Sequence, residues 1–239
     1  MKNAFTYMFK DNGIQKKFLA LWAIYLIIAV LKAISPMFGE FSLPYGCIRL
    51  AIIFLLLIST GYGVACTQSL IKKEDTLPFL NIKNIISGFK ATVAVLLLAA
   101  SIIIGLYLVI VGVRLINPIA SVYTFKILGG IIFLTIVFYL NGFSRYFAKT
   151  ESWLSFFQFK KVTNQIKENT STYLKAFFCY IGFALAVYLF KYLILGGLCM
   201  VLSQNVMTIY SVIESLLTTY VAFFTYYLIA NCIKEEEVV

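Results

Sequence analysis

The sequence predicts an all-α fold, an integral membrane bundle of about six transmembrane helices with amphipathic interfacial helices on the cytoplasmic side. Apolar residues make up 62% of the 239 residues and charged residues 13%, whereas soluble domains hold about 45–50% and about 25%. The apolar residues form six runs of about the length that crosses a bilayer, and lysines lie between the runs. A soluble core of this size could not bury so much apolar surface, so we expect the surrounding solvent to be lipid.

The six apolar runs define the predicted spans. They are continuously apolar rather than alternating, which favours helices over the strands of a membrane barrel. The first follows a polar lead without a small-residue cleavage site, so we interpret it as an uncleaved span. The fourth carries Lys126 near its start, which leaves a later beginning open. The runs cover 18–34, 50–71, 91–113, 119–143, 173–195 and 206–232.

The basic residues predict the orientation of the bundle. Five of the 20 lie in or near the segments after the first, third and fifth runs: Lys32, Arg49, Arg114, Lys126 and Lys191. The other 15 lie in the N-terminal segment, after the second and fourth runs, or after the sixth. Because loops rich in Lys and Arg stay on the cytoplasmic side, we expect both termini in the cytoplasm, in the plasma membrane of a prokaryote.

Two cytoplasmic segments have an amphipathic pattern. In 81–90, apolar side chains fall at i, i+3, i+4 and i+7 from Ile82, and Asn81 is placed to cap the helix. In 152–168 the apolar arc drifts, so one helix and two short helices are equally expected. Helices that pair an apolar stripe with lysines lie in the headgroup plane. The predicted contacts to anionic headgroups are Lys83, Lys90, Lys160, Lys161 and Lys167.

The chain is predicted to be a single polytopic membrane domain over 1–239. A weak pattern of one amphipathic segment followed by two spans recurs over 4–71, 79–143 and 153–232. The three units share this pattern and not their identities, so chance in a chain rich in Lys and Phe is the alternative explanation.

Two strings carry a resemblance to a known family. GYGVACTQSLIKKEDTLPFLNIKNIISGFK joins a Gly-Tyr late in a span to a charged turn and a Leu-Pro, and RYFAKTESWLSFFQFKKVTNQIKENTSTYL joins an Arg-Tyr to an aromatic amphipathic segment. The chain resembles over most of its length the prokaryotic multi-pass membrane proteins of the DUF4013 family, a domain of unknown function. It departs from them at Phe79, where a Trp or an acidic residue is expected. The resemblance implies a fold and a location, and no reaction.

Glu214 is the one acidic residue inside a predicted span, and Lys191 is its natural partner. An ionisable group at this depth is costly unless it is paired, and it is a functional candidate for that reason. Antiparallel neighbouring helices would bring the two residues to similar depths. An interhelical ion pair that stabilises packing is the first interpretation, and a gate or coupling site in a transport path is the second.

Small residues spaced four apart predict close helix packing, because they let backbones approach in lipid. The two pairs are Gly61 with Ala65 and Gly182 with Ala186. Cys47 and Cys199 are both expected toward the outer face, where a disulfide between them is an open alternative to two apolar cysteines.

Missing residue types argue against enzyme chemistry. The chain has no histidine, its five cysteines lack metal-ligand spacing, and no Walker A sequence is present. We therefore expect no catalytic site, no cofactor and no bound metal.

The function favoured by the sequence is a non-enzymatic membrane scaffold or accessory protein that contacts anionic lipid. The alternative is a small permease or channel subunit that uses Lys191 and Glu214. The expected partners are the bilayer and either another protein or further copies of this chain. Nucleic acid is not expected, because the lysines flank apolar spans.

Overall fold

The structure is a computed structural model that describes residues 12–40, 42–74, 78, 79, 81–195 and 205–233. These residues contain no strand. They form seven α-helices: α1 (Asn12–Ile34), α2 (Leu43–Ile71), α3 (Ile82–Ile116), α4 (Pro118–Thr150), α5 (Phe159–Glu168), α6 (Thr170–Phe190) and α7 (Asn205–Asn231). Two 3₁₀ turns, Ser35–Met37 and Trp153–Phe157, follow α1 and α4, and a π-helical segment, Lys191–Leu195, follows α6.

Six of these helices are long and apolar enough to cross a membrane, which confirms the predicted all-α fold with six spans. Large apolar side chains on their outer faces, such as Leu108 and Ile119, are exposed. A lipid environment accounts for that exposure, which a soluble protein of this size does not tolerate over such an area. The spans are Gly13–Met37, Leu43–Ile71, Lys83–Ile116, Pro118–Thr150, Thr170–Leu193 and Tyr210–Asn231.

Side-chain caps set the beginnings of three helices. Ser42 Oγ accepts a hydrogen bond from the Tyr45 backbone N–H at the start of α2. Asn81 Oδ1 accepts one from the Asn84 N–H, which confirms the predicted cap of α3. Asn117 caps α4 and Pro118 occupies its first turn, so the fourth span begins before Lys126 and not after it.

The two amphipathic segments fold differently. Residues 81–90 are not a separate interfacial helix, because they form the first turns of α3 and continue into the span. Ile86 and Phe89 are exposed while Asn84 is buried, so these apolar side chains face outward and the small or polar side faces α2. Residues 152–168 form a 3₁₀ turn and then α5, which is the two-helix alternative. The three-unit repeat stays a prediction.

Helix α2 lies at the centre of the bundle and packs against α1, α3, α4 and α7. One core cluster joins Tyr62 and Cys66 of α2 to Leu21 of α1 and Phe223 of α7. A second cluster lies around the C-terminal end of α4, where Phe143 and Phe147 meet side chains of α3, α5 and α6. The second cluster positions the surface described below.

The α2–α3 crossing depends on two glycines. A Cβ atom on Gly61 would overlap the backbone carbonyl of Asn84 and lie 2.7 Å from the Gly88 nitrogen. A Cβ atom on Gly88 would overlap the Leu57 carbonyl. The two backbones are therefore in direct contact, as small residues permit in membrane bundles.

We expect Gly61→Ala to lower the free energy of unfolding by about 1–3 kcal/mol, because the added methyl group meets backbone that cannot rotate away. The matched control is Gly112→Ala, where a Cβ meets nothing within 4 Å. Helix propensity makes the control neutral or up to about 1 kcal/mol stabilising. Thermal unfolding of the purified protein in detergent measures both, and equal unfolding temperatures would contradict the close crossing.

Candidate functional site

Helix α5 presents lysines outward because its apolar side chains are held in the core. Val162 is fully buried and Ile166 nearly so. They lie four residues apart and so share one face of the helix. Lys160, Lys161 and Lys167 occupy the exposed remainder. The ten-residue helix is thus bound to the bundle along one side only.

The turn Trp153–Phe157 likewise has some side chains in the core and others exposed. Ser155 and Phe156 are buried, whereas Trp153 and Leu154 are 57% and 59% exposed. Phe157 is also exposed and precedes α5. Exposed aromatic and aliphatic side chains therefore come shortly before the lysines of α5 in the chain. We name this set the basic aromatic patch: Trp153, Leu154, Phe157, Lys160, Lys161 and Lys167.

Aromatic packing against α4 holds the patch in place. The Phe143 ring lies 4.8 Å from that of Phe159, and the Phe147 ring lies 5.8 Å from that of Phe156. Edge-to-face and tilted pairs at these distances add specific attraction to apolar burial. Two hydrogen bonds reinforce them: Tyr146 OH donates to Gln158 Oε1 at 3.0 Å, and Tyr139 OH lies 3.1 Å from Thr163 Oγ1.

The other two predicted headgroup lysines, Lys83 and Lys90, are exposed on the first turns of α3. Phe89 is exposed beside Lys90. Nearby in sequence, the exposed Phe79 ring lies 4.7 Å below Lys17 Nζ, in a cation–π contact. Lysines and aromatic side chains therefore recur at the beginning of α3.

The structure brings Lys191 and Glu214 together. Lys191 Nζ lies 3.1 Å from Glu214 Oε1, between the π-helical segment after α6 and the first half of α7. The side chains are 26% and 43% exposed, respectively. Next to Glu214, Ser215 Oγ accepts a hydrogen bond from Trp22 Nε1 of α1 at 3.0 Å. The arrangement joins neighbouring helices, and a part-exposed pair of this kind contributes modestly to stability.

The small-residue pairs have different surroundings. Gly61 is at the α2–α3 crossing, and Ala65 is half-buried one turn later. Gly182 and Ala186 are exposed, and a Cβ on Gly182 would meet nothing within 4 Å. The close packing predicted for this second pair is therefore absent within the described chain, because that face of α6 points away from the other helices.

A disulfide between Cys47 and Cys199 stays a hypothesis. Cys47 is exposed near the beginning of α2, whereas Cys199 lies outside the described residues. Elsewhere in the described chain, no group of three or more Cys, Asp or Glu side chains is placed to hold a metal ion.

Arg145 has a role that the sequence analysis missed. The residue is 5% exposed, and its Nη1 donates to the Ala230 carbonyl in the last turn of α7. A cation at this position satisfies a terminal carbonyl and opposes the negative end of the helix dipole. Burial raises the pKa of the neighbouring Cys232 thiol to about 12, against the opposing influence of Arg145. The only signal in the sequence was an arginine at the end of an apolar run.

Gln68 is a second residue whose role, a polar link between helix ends, the sequence did not predict. Its Nε2 donates to the Ala148 carbonyl at 2.7 Å and to Glu151 Oε1 at 2.8 Å. Glu151 ends α4 in the left-handed region, with φ of 50°. The ends of α2 and α4 are thereby joined by polar contacts.

A cavity of about 410 Å³ lies between the helices. Its walls are mainly apolar and include hydroxyl side chains from five helices. Neither Lys191 nor Glu214 lines it. The hydroxyl side chains are those of Tyr25, Thr60, Thr67, Thr92, Ser144 and Tyr226.

Comparison with known proteins gives one match. A family model described as a protein of unknown function, DUF4013, matches residues 45–196. No curated protein and no solved structure matches the chain. The matched region runs from the beginning of α2 to just beyond the π-helical segment, so it includes the basic aromatic patch and Lys191 but not Glu214.

We expect Lys191 and Glu214 to be energetically coupled by roughly 1 kcal/mol, the scale of polar interactions between membrane helices. Lys191→Met, Glu214→Gln and the double variant form a double-mutant cycle for unfolding in detergent. Additive effects would contradict a direct interaction. If Glu214→Gln accumulates normally in cells yet impairs growth, the transport interpretation gains support over the structural one.

Proposed function

The chain belongs to the DUF4013 family, whose function is unknown, and on that premise we propose that it is a non-enzymatic membrane scaffold or accessory protein. In this proposal it is a multi-pass protein of a prokaryotic plasma membrane, and the basic aromatic patch holds anionic lipid headgroups at the cytoplasmic leaflet. A patch fixed in this way would leave the rest of the bundle end free to meet a protein partner or a second copy of the chain.

The composition of the basic aromatic patch is the observation that supports the proposal. Exposed Trp153 and Phe157 beside Lys160 and Lys161 match what the headgroup region selects. Aromatic side chains favour the interface between hydrocarbon and water. Each lysine near an anionic surface contributes about 1 kcal/mol of attraction. Among the described residues, no ion pair involves Lys160, Lys161 or Lys167 of the patch.

The orientation follows from the same end of the bundle. Lys72 and Lys73 follow α2, Lys83 and Lys90 lie at the start of α3, and Lys149 lies at the end of α4. The patch lies between α4 and α6 in the chain, so it shares this lysine-rich end. Retention of basic loops in the cytoplasm supports this end as the cytoplasmic one.

The permease alternative has weaker support. Transport would require a polar path to Lys191 and Glu214, and the described cavity has neither residue in its wall. The non-enzymatic part of the proposal rests on composition, since a chain without histidine has few groups suited to acid–base catalysis.

Energy transfer tests the lipid contact. The chain has two tryptophans, Trp22 and Trp153, so Trp22→Phe leaves the patch as the only tryptophan donor. In liposomes, we expect Trp153 to transfer more energy to dansyl-phosphatidylglycerol than to dansyl-phosphatidylcholine. Replacing Lys160, Lys161 and Lys167 together with Gln should remove up to about 3 kcal/mol of that preference, at about 1 kcal/mol per lysine.

The matched control replaces three exposed basic residues outside the patch, Lys32, Arg114 and Lys126, with Gln. This triple variant should leave the preference unchanged. Raising the salt concentration should weaken the preference of the unaltered chain, because salt screens exposed charges. Equal transfer to the two lipids at low salt would refute the lipid contact.

Labelling of single cysteines tests the orientation. Each variant keeps one cysteine, and all its other cysteines are replaced by serine. In intact cells, a membrane-impermeant maleimide should react with the variant that keeps Cys47 and with the variant that carries Arg114→Cys. Lys83→Cys and Lys161→Cys should react only after the membrane is permeabilised. All four positions are exposed, so burial does not explain a difference between them. External labelling of the two lysine positions would reverse the proposed topology.

A further inference from the structure

The proposed function leaves the cavity between the helices unused. Helices α2, α3, α4 and α7 surround it, and Tyr25 of α1 and Phe156 of the turn complete its wall. Its volume of about 410 Å³ is within the range of small-molecule sites, about 300–1,000 Å³. A mainly apolar cavity of this kind does not hold water well and accepts an apolar guest.

The wall carries hydroxyl groups and no charge. None of its 15 lining residues is Lys, Arg, Asp or Glu. Arg145 follows the lining residue Ser144, but its guanidinium donates to the Ala230 carbonyl. An ionised guest would therefore lose its hydration without gaining a counter-charge, which is costly inside a membrane.

Some of the hydroxyl groups remain available to a guest. Thr67 Oγ1 donates to the Gly63 carbonyl at 2.9 Å, and Tyr226 OH donates to the Ser59 carbonyl at 3.5 Å. In the part of the chain that the structure describes, no such bond involves Thr92 or Ser144. Both are half-buried, on α3 and α4 respectively. Each hydroxyl can donate one hydrogen bond and accept others.

The cavity opens toward lipid. Thr60 and Val95 line it and are exposed, and Leu96 is 62% exposed. All three lie well inside the spans Leu43–Ile71 and Lys83–Ile116. In a chain that crosses the membrane through these spans, such positions face the bilayer, so the opening suits a guest that enters sideways from lipid.

Gly63 keeps the cavity open. A Cβ on Gly63 would lie 2.6 Å from Cζ and 2.7 Å from the hydroxyl oxygen of Tyr226. The Tyr226 ring therefore rests directly on the α2 backbone. Any larger side chain at position 63 would push the ring away from α2, and both residues line the cavity.

We infer that the cavity binds the chain of an uncharged long-chain amphiphile, such as a monoacylglycerol, that enters from the bilayer. The apolar chain fills the volume, and a hydroxyl or ester carbonyl hydrogen bonds to Thr92 and Ser144. The inference does not depend on the basic aromatic patch, which is proposed to select charged headgroups.

A photoreactive 1-oleoylglycerol with a diazirine in its chain tests this site in liposomes that contain the full-length protein. We expect cross-links at the lining segment of α3 around Thr92 and Leu96. Ser144→Phe should lower them by about tenfold or more, equivalent to 1.4 kcal/mol of affinity, because the ring fills the cavity. Ser101→Phe is the matched control, since Ser101 is exposed on α3 and does not line the cavity.

Competition distinguishes the guest's chemistry. Unlabelled 1-oleoylglycerol should compete, and fully ionised oleate at high pH should not. If Ser144→Phe fails to fold, the double variant Ser144→Ala and Thr92→Val tests the site instead, because it preserves the open volume. This double variant should weaken cross-linking of the glyceride. It should not weaken cross-linking of a diazirine-bearing alkane. Cross-links spread equally over lipid-facing positions such as Ile103 and Leu108, unaffected by these variants, would overturn the inference, as would equal competition by oleate.

Discussion

The direct contact of the α2 and α3 backbones at Gly61 and Gly88 is the constraint on which the bundle depends. Helices in lipid gain little from hiding apolar surface from one another, so their association needs close packing and polar links. The glycine contact supplies the packing for α2, the helix that also meets α1, α4 and α7. Polar links then join the helix ends, through Gln68 to the end of α4 and through Arg145 to the end of α7.

The basic aromatic patch is a consequence of this core. Phe143 and Phe147 of α4 bind the inward face of the turn and of α5, so Phe156, Val162 and their neighbours point inward. What remains outside is the complementary set of lysines and large apolar side chains. The patch therefore has a fixed shape, and a rigid patch loses less conformational entropy when it binds than a flexible basic tail does.

Much of the fold could be predicted from the sequence, because span length, caps and charge bias are local properties. The six spans and the Asn81 cap follow from such signals, whereas the pattern of 152–168 left one helix and two short helices equally expected. Other features of the fold depend on which helix surfaces contact one another. Periodicity predicted the apolar stripe around Ile86 but not whether the stripe faces lipid or protein. The spacing of Gly182 and Ala186 predicted close packing, but no described helix packs against that face of α6. Arg145 looked like a topology charge because its partner, Ala230, is 85 residues away.

The depth of each polar group accounts for its chemistry. Most lysines lie near the helix ends, whereas the polar side chains in the cavity wall between the helices all carry hydroxyl groups. Charge deep in the bilayer must be paired or it is expensive, and the Lys191–Glu214 pair meets that condition at the π-helical end of α6. Phe156 lines the cavity while Trp153, three residues earlier, is exposed in the patch. One short turn thus separates a surface suited to charged headgroups from an interior suited to uncharged chains, so these two parts of the protein should discriminate between lipids in opposite ways.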